Sequence, residues 1–302
     1  MSNSPLIKRL TKKKILVSDG AWGTQLQQQG LAAGECPEAW NLTHPEKVEA
    51  VARAYVDAGS DIILTNTFGG SRFKLEQYGL ADKTSDINQI AVELSRNAAK
   101  ANTFVVASIG PTGKFVEPLG DVTPDAMMAA FREQVAAHVV GGADAILIET
   151  MSDLTEATLA IRAVKAVCSL PVLTTMTFEK GSSGYRTMMG ISVEQAVTTL
   201  SEAGADVIGT NCGNGIEQIC EIIAETRSFT DKFLIAQPNA GKPKLVGEET
   251  IFEQSPEEFA AHVPNLIRAG ANIIGGCCGT TPNHIQAIVD VVRKFSKSKE
   301  IG

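Results

Sequence analysis

Four stretches of the chain repeat one phrase of apolar and polar positions: AGSDIILTN from Ala58, GGADAILIE from Gly141, AGADVIGTN from Ala203 and AGANIIGGC from Ala269. In each, a helical pattern stops at a glycine, a polar residue follows, and a short apolar run ends on a polar residue or a cysteine. Glycine readily takes the left-handed conformation that closes a helix. A run that is apolar on both faces suits a strand buried in a parallel sheet. Four such joints predict alternating helices and strands.

Between the joints lie ILVSD from Ile15, FVVASI from Phe104, PVLTTM from Pro171 and FLIAQ from Phe233, which bring the predicted strands to eight. Helical spacing separates them, as in Val193, Ala196, Val197 and Leu200, which set one apolar stripe against a sheet. Ser192 with Gln195 and Ser255 with Glu258 have capping-box spacing, and Pro256 stands at a first helical position; Thr123-Pro124 and Thr281-Pro282 repeat the cap-then-proline pattern. Eight strands each followed by a helix predict an α/β protein, a single-domain (β/α)8 TIM barrel over residues 1–302 with flexible ends at roughly 1–13 and 295–302. No GxGxxG follows the first strand, which argues against a dinucleotide fold.

Three segments after strands are long and irregular: Thr67 to Ala81, Glu179 to Gly190 and Asn239 to Gln254. The first and third are expected over the barrel mouth. The middle one, EKGSSGYRTMMG, reads as a mobile lid or equally as a solvated loop.

Composition narrows the function classes. At 302 residues and 44% hydrophobic, the chain can bury a large core, and its net charge of -7 offers no basic face for a nucleic acid. No apolar run approaches the ~18 residues of a spanning helix, so a soluble cytoplasmic protein with no membrane partner is expected.

Active sites of such barrels lie at the C-terminal ends of the strands. The polar residues there are Asp19, Asn66, Glu149, Thr175, Asn211 with Cys212, Gln237 with Asn239, and Cys277 with Cys278. Three of the six cysteines therefore fall on one rim. Zinc takes thiolates in tetrahedral geometry, and three of them leave one position for a substrate. Neighbours in a regular strand point to opposite faces, but the glycines around Cys277 and Cys278 allow the chain to turn there. A redox pair or vicinal disulfide of Cys277 and Cys278 is the competing reading, although it leaves Cys212 without a role. Cys36, Cys168 and Cys220 read as small buried hydrophobes, and His44, His138, His262 and His284, none of them on the rim, as packing or surface residues.

Glu149 ends an apolar strand, where a carboxylate needs a cation or donors. A substrate amino group would suit it, and Asp19 can serve the same group. Backbone N–H groups near Gly20 and Gly110 are candidates for a carboxylate. Lys242 lacks the surrounding pattern of a phosphate loop, and no strand ends on a lysine for Schiff-base chemistry.

NCG at Asn211 and GGCCGTTP at Gly275 resemble the homocysteine S-methyltransferase family, especially the homocysteine-binding barrel of cobalamin-dependent methionine synthase. SDGAWGTQL at Ser18, LTNTFGG at Leu64, SIGPTG at Ser108, IETMSD at Ile148 and PNAGKP at Pro238 extend the likeness through most of the chain. The resemblance implies a Zn2+ ion on Cys212, Cys277 and Cys278, with Asn239 in the fourth position before substrate arrives. It also implies homocysteine held by Asp19 and Glu149 and methylated on sulfur to give methionine, with Gly20, Asn211 and Asn239 as further candidate substrate contacts. The cobalamin-binding pattern DxHxxG is not found; AAHVVG at Ala136 lacks its aspartate. The expected donor is a methylcorrinoid carried by a separate protein. S-methylmethionine or a betaine-type donor is the alternative, followed by a non-catalytic zinc-binding subunit of a corrinoid complex.

Overall fold

The computed structural model describes residues 4–13, 15–246 and 249–299. All eight predicted strands form: β1 (Leu16–Val17), β2 (Ile62–Ile63), β3 (Phe104–Ile109), β4 (Ala145–Met151), β5 (Val172–Met176), β6 (Val207–Gly215), β7 (Phe233–Asn239) and β8 (Ile273–Ile274). They lie in parallel in chain order, with β8 beside β1, and a single Ser18–Ile62 bridge joins β1 to β2. The result is a (β/α)8 barrel. Its longer helices are α1 (Pro5–Lys13), α2 (Pro45–Asp57), α3 (Thr84–Ala98), α4 (Pro124–Val140), α5 (Leu154–Val167), α6 (Val193–Ala203), α7 (Ile216–Arg227), α8 (Pro256–Ala269) and α9 (Pro282–Lys299). Among the described residues, no helix is long and apolar enough to cross a membrane.

The repeated phrase has a structural meaning beyond its helix stop. Gly59, Gly142, Gly204 and Gly270 all have positive φ, from 88 to 108°. The polar residue that follows in each phrase then ties an even strand to the odd strand before it. Asp61, Asp144, Asp206 and Asn272 each donate a backbone N–H, at 2.8 Å, to the carbonyls of Val17, Val105, Val172 and Leu234. The side chains of the same four residues accept the N–H groups of Val17, Val105, Val172 and Leu234. A fourfold repeat in sequence is therefore a fourfold repeat of one strand-joining clamp. The predicted capping boxes at Ser192 and Ser255 are both formed.

The flexible start expected over 1–13 is corrected for Pro5–Lys13. This segment is α1, and its Leu6 and Leu10 are fully buried with the apolar residues that fill the barrel interior. The spacing Leu6, Ile7, Leu10 is one helical face, and the surrounding lysines and arginine mask it in a composition reading. At the other end α9 continues to Lys299, with Phe295 against the core; residues 1–3 and 300–302 lie outside the described residues. Deleting a fully buried leucine side chain costs about 2–5 kcal/mol. Leu10→Ala should accordingly lower the unfolding free energy obtained from urea titration by an amount in that range, whereas a loose end would leave it unmoved.

The Glu179–Gly190 segment is not a free loop. It forms a hairpin, Glu179–Gly181 against Gly184–Arg186, with Tyr185 buried and its hydroxyl donating to Glu221 on α7 at 2.8 Å. Lys180 pairs with the same carboxylate. The lid reading is replaced by a hairpin tied to a barrel helix.

Candidate active site

The inward faces of the strands change character on the way up the barrel. Leu16, Val106, Leu147, Leu173 and Ile235 belong to the interior apolar cluster. Strand side chains alternate, so residues two positions on share that face: Ser18, Ser108, Glu149, Thr175 and Gln237. Above this polar layer opens a cavity of about 350 Å3, walled by Gly20, Trp22, Glu38, Asn66, Phe68, Ser108, Glu149, Gln237, Cys212, Cys277 and Cys278 among others.

Cys212 follows inward-facing Asn211 and in a regular strand would point away from the cavity. Its φ of 58°, a left-handed conformation rarely used by residues other than glycine, breaks the alternation and turns the thiol inward. Cys277 and Cys278 lie beyond the end of β8 in a turn whose Gly279 has φ 79°. The turn is fastened by the Cys277 N–H donating to the Pro238 carbonyl at 2.7 Å and the Ala240 N–H donating to the Cys278 carbonyl at 3.0 Å.

The three sulfurs lie within 4.8 Å of one another, with Cys212 3.9 Å and Cys277 4.0 Å from Cys278. Thiolates bound to one tetrahedral ion at ~2.3 Å stand ~3.8 Å apart. The spacing therefore suits a shared zinc ion and is about twice the ~2.05 Å of a disulfide. Without a metal, S–H donation from Cys277 and Cys278 draws the Cys212 thiol down to about 3. The same pairing, together with burial, raises Cys277 and Cys278. Asn239, at the end of β7, bonds Cys212, and its buried Oδ1 has no partner within the protein. A soft donor set with an unpaired oxygen beside it fits the ion expected there. None of the four histidines joins this cluster.

Two buried carboxylates stand at this level, Glu149 in the cavity wall and Asp19 bonded to the wall residues Trp22 and Leu64. Asp19 is fully buried; its Oδ2 accepts the Leu64 N–H at 2.7 Å and the Trp22 indole N–H at 2.9 Å, and its Oδ1 has no partner. Burial pushes its pKa up to about 7. Glu149 accepts the Ser108 hydroxyl on Oε1 and the Asn211 amide on Oε2, and burial likewise raises it to about 7. Carboxyls held this far up favour a cationic partner, which would return them to the charged form.

Asn211, a candidate substrate contact, has its amide bonded within the protein. Its Oδ1 accepts from Thr150 N and Thr175 Oγ1, while its Nδ2 donates to Glu149 and to Thr150 Oγ1. It braces Glu149. One expectation is corrected: the Gly110 N–H is taken by the Phe68 carbonyl at 2.9 Å and is not free for a carboxylate, while near Gly20 the Ala21 N–H is taken by Thr280 Oγ1 at 3.1 Å. Gly20 does line the cavity; a Cβ there would stand 2.6 Å from Thr280 Oγ1. The sequence reading passed over Trp22, which orients Asp19, and Thr280, which bridges the Ala21 turn to the Cys277 carbonyl. Trp22 lies within SDGAWGTQL, so its proximity to Asp19 was the available signal. Glu38, held by the Gly69 N–H at 2.6 Å, comes from an early loop that no pattern points to.

Comparison with known proteins places the chain in a family. The homocysteine S-methyltransferase family model matches residues 16–292. Methionine synthase of Mycobacterium leprae is 31% identical over 300 residues, covering 93% of this chain and 24% of that protein. Methionine synthase of Mycobacterium tuberculosis is also 31% identical, over 94% of this chain and 25% of its own length. The chain thus spans about a quarter of the length of these curated relatives. The metallated form of the Escherichia coli homocysteine methyltransferase MmuM superposes with a TM-score of 0.80 at 23% identity, over 94% of this chain and 99% of that one, a likeness of fold. With a family model matched from β1 into α9, the chain belongs to the homocysteine S-methyltransferase family and is a methyltransferase.

Proposed function

We propose that this chain methylates homocysteine on sulfur to give methionine, with zinc on Cys212, Cys277 and Cys278. The observation that carries the reading is one cavity lined by three clustered thiols and the buried carboxylate of Glu149, with buried Asp19 bonded to its wall residues Trp22 and Leu64. Zinc, when bound, would supply a thiolate acceptor at neutral pH.

The protein's own residues orient the amino acid. Asp19 Oδ1 and Glu149 would accept N–H bonds from its ammonium group, with Gly20 giving room beside them. Trp22, Ser108 and Asn211 hold the two carboxylates in place, so little reorganisation is needed when the cation arrives. Holding an acceptor sulfur in line with a methyl donor contributes several kcal/mol in well-oriented systems, roughly up to 11. Asn239 Oδ1 would be the group that leaves the fourth position to the substrate.

The donor would approach from the mouth, because a cavity of about 350 Å3 admits an amino acid and not a whole corrinoid. The resemblance to the homocysteine-binding barrel of cobalamin-dependent methionine synthase makes a methylcorrinoid carried by a separate protein the first donor to test. A specific observation supports a second reading, a sulfonium or quaternary ammonium donor. Although aromatics make up only 5% of the chain, Trp22 and Phe68 line the cavity together with Glu38. Rings and a carboxylate are what an onium ion prefers. Zinc-loaded protein should form methionine from homocysteine with at least one of methylcobalamin, a methylated corrinoid protein, S-methylmethionine or betaine. Product with none of them sinks the proposal, and the donor that works separates the two readings.

A further inference from the structure

The cavity holds an unpaired acceptor that the reading above leaves unused. Gln237 lies on β7 two residues beyond Ile235, which is part of the interior cluster, so its side chain faces inward. It is 2% exposed and lines the cavity. Its Nε2 donates to Ser18 Oγ at 3.3 Å, whereas its Oε1 is buried without any partner within the protein. A buried carbonyl oxygen left unpaired carries a desolvation penalty that a ligand's donor removes. Asp19 Oδ1, from the neighbouring end of β1, is unpaired in the same way.

An ammonium group carries three N–H donors and no acceptor. Asp19 and Glu149 account for two of them. From this balance of donors and acceptors, and resting on the homocysteine reading above, we infer that Gln237 Oε1 takes the third and is a specificity-determining residue for the amino group of the acceptor. The amide is neutral, so it adds an acceptor without adding a third buried negative charge beside two carboxylates. It also explains why a polar side chain stands on β7 at the level where the interior turns from apolar to polar. Ser18 can bond either end of the amide, and the ligand's donors select the orientation in which Oε1 faces the cavity.

The test compares homocysteine with 4-sulfanylbutanoate, the same thiol acid without its amino group. Each is titrated calorimetrically into zinc-loaded wild type, Gln237→Leu and Gln237→Glu. The preference for homocysteine, expressed as the ratio of the two Kd values, should fall about tenfold or more in Gln237→Leu and be kept or increased in Gln237→Glu, which retains an acceptor. An unmoved ratio in Gln237→Leu overturns the inference. So does a lost preference in Gln237→Glu, which keeps an acceptor at that position; an amide N–H2 that served the substrate carboxylate would instead weaken both ligands alike and leave the ratio unmoved. If Gln237→Leu does not fold, the near-isosteric Gln237→Glu decides alone. A wild type that binds neither thiol removes the parent reading; a wild type that binds both while the variants leave the ratio unmoved removes only this inference.

Discussion

Cys277→Ser is expected to purify with almost no zinc and to lose methyl transfer to homocysteine by about a thousandfold or more. Two effects add to that figure. A free thiol of pKa near 8.5 is a few per cent thiolate at pH 7, so losing full deprotonation costs about thirtyfold at most. The remainder is lost positioning, because the acceptor sulfur no longer has a fixed place relative to the donor. Cys212→Ser and Cys278→Ser should behave alike, since the three sulfurs lie within 4.8 Å of one another. Cys220 lies on α7, outside this cluster, and Cys220→Ser should keep both zinc and activity. Metal analysis beside initial rates checks the set. Zinc retained at about one ion per chain in Cys277→Ser would remove that residue from the ligand set, and equal losses in Cys220→Ser would point to general damage.

The architecture was legible because its signals are local. Gly59, Gly142, Gly204 and Gly270 advertise helix ends by the conformation only glycine adopts cheaply, and the apolar runs after them have no face to spare for solvent. The grouping of Cys212, Cys277 and Cys278 at strand ends was legible for the same reason, since the barrel fixes which end is functional. What the sequence hides depends on departures from regular geometry or on distant partners. Alternation along β6 sends Cys212 outward, and only the left-handed turn at that residue brings it in. Asn211 looks like a ligand group at a strand end, yet its amide is bonded to neighbours on β4 and β5 and to the Cys277 sulfur. The hairpin at Glu179 reads as a loop because its anchor, Glu221, is 36 residues from Tyr185. The docking of α1 is likewise a long-range event, visible only once the interior it packs against exists.

Asp19→Asn is expected to raise KM for homocysteine about a hundredfold or more, the range for removing one partner of a buried charge pair, with zinc content unchanged. The hydrogen bonds explain why so small a change matters. Leu64 N and Trp22 Nε1 both donate to one carboxylate oxygen. An asparagine satisfies them only with its carbonyl, which puts its N–H2 in the place of the unpaired Oδ1 that the ammonium's donors would meet. The acceptor becomes a second donor, and attraction becomes repulsion. The pH dependence follows with a definite sign. The wild-type carboxyl, raised by burial to about 7, is largely protonated below that pH and charged above it, and an ammonium selects the charged form. Affinity for homocysteine should therefore improve as pH rises through about 7, and the slope should become shallower in Asp19→Asn, where only Glu149, also raised to about 7, still titrates. Stability should move the other way. A carboxyl at about 7 when folded and 3.8 in its ordinary state holds its proton more tightly in the native protein, so its contribution is present below about 4 and is lost as pH rises toward 7. At pH 8 the substitution removes a buried charge while keeping its two donors satisfied, and the thermal midpoint should rise or hold. A variant that melts earlier with an unchanged KM would make Asp19 a structural residue rather than part of the amino-acid site.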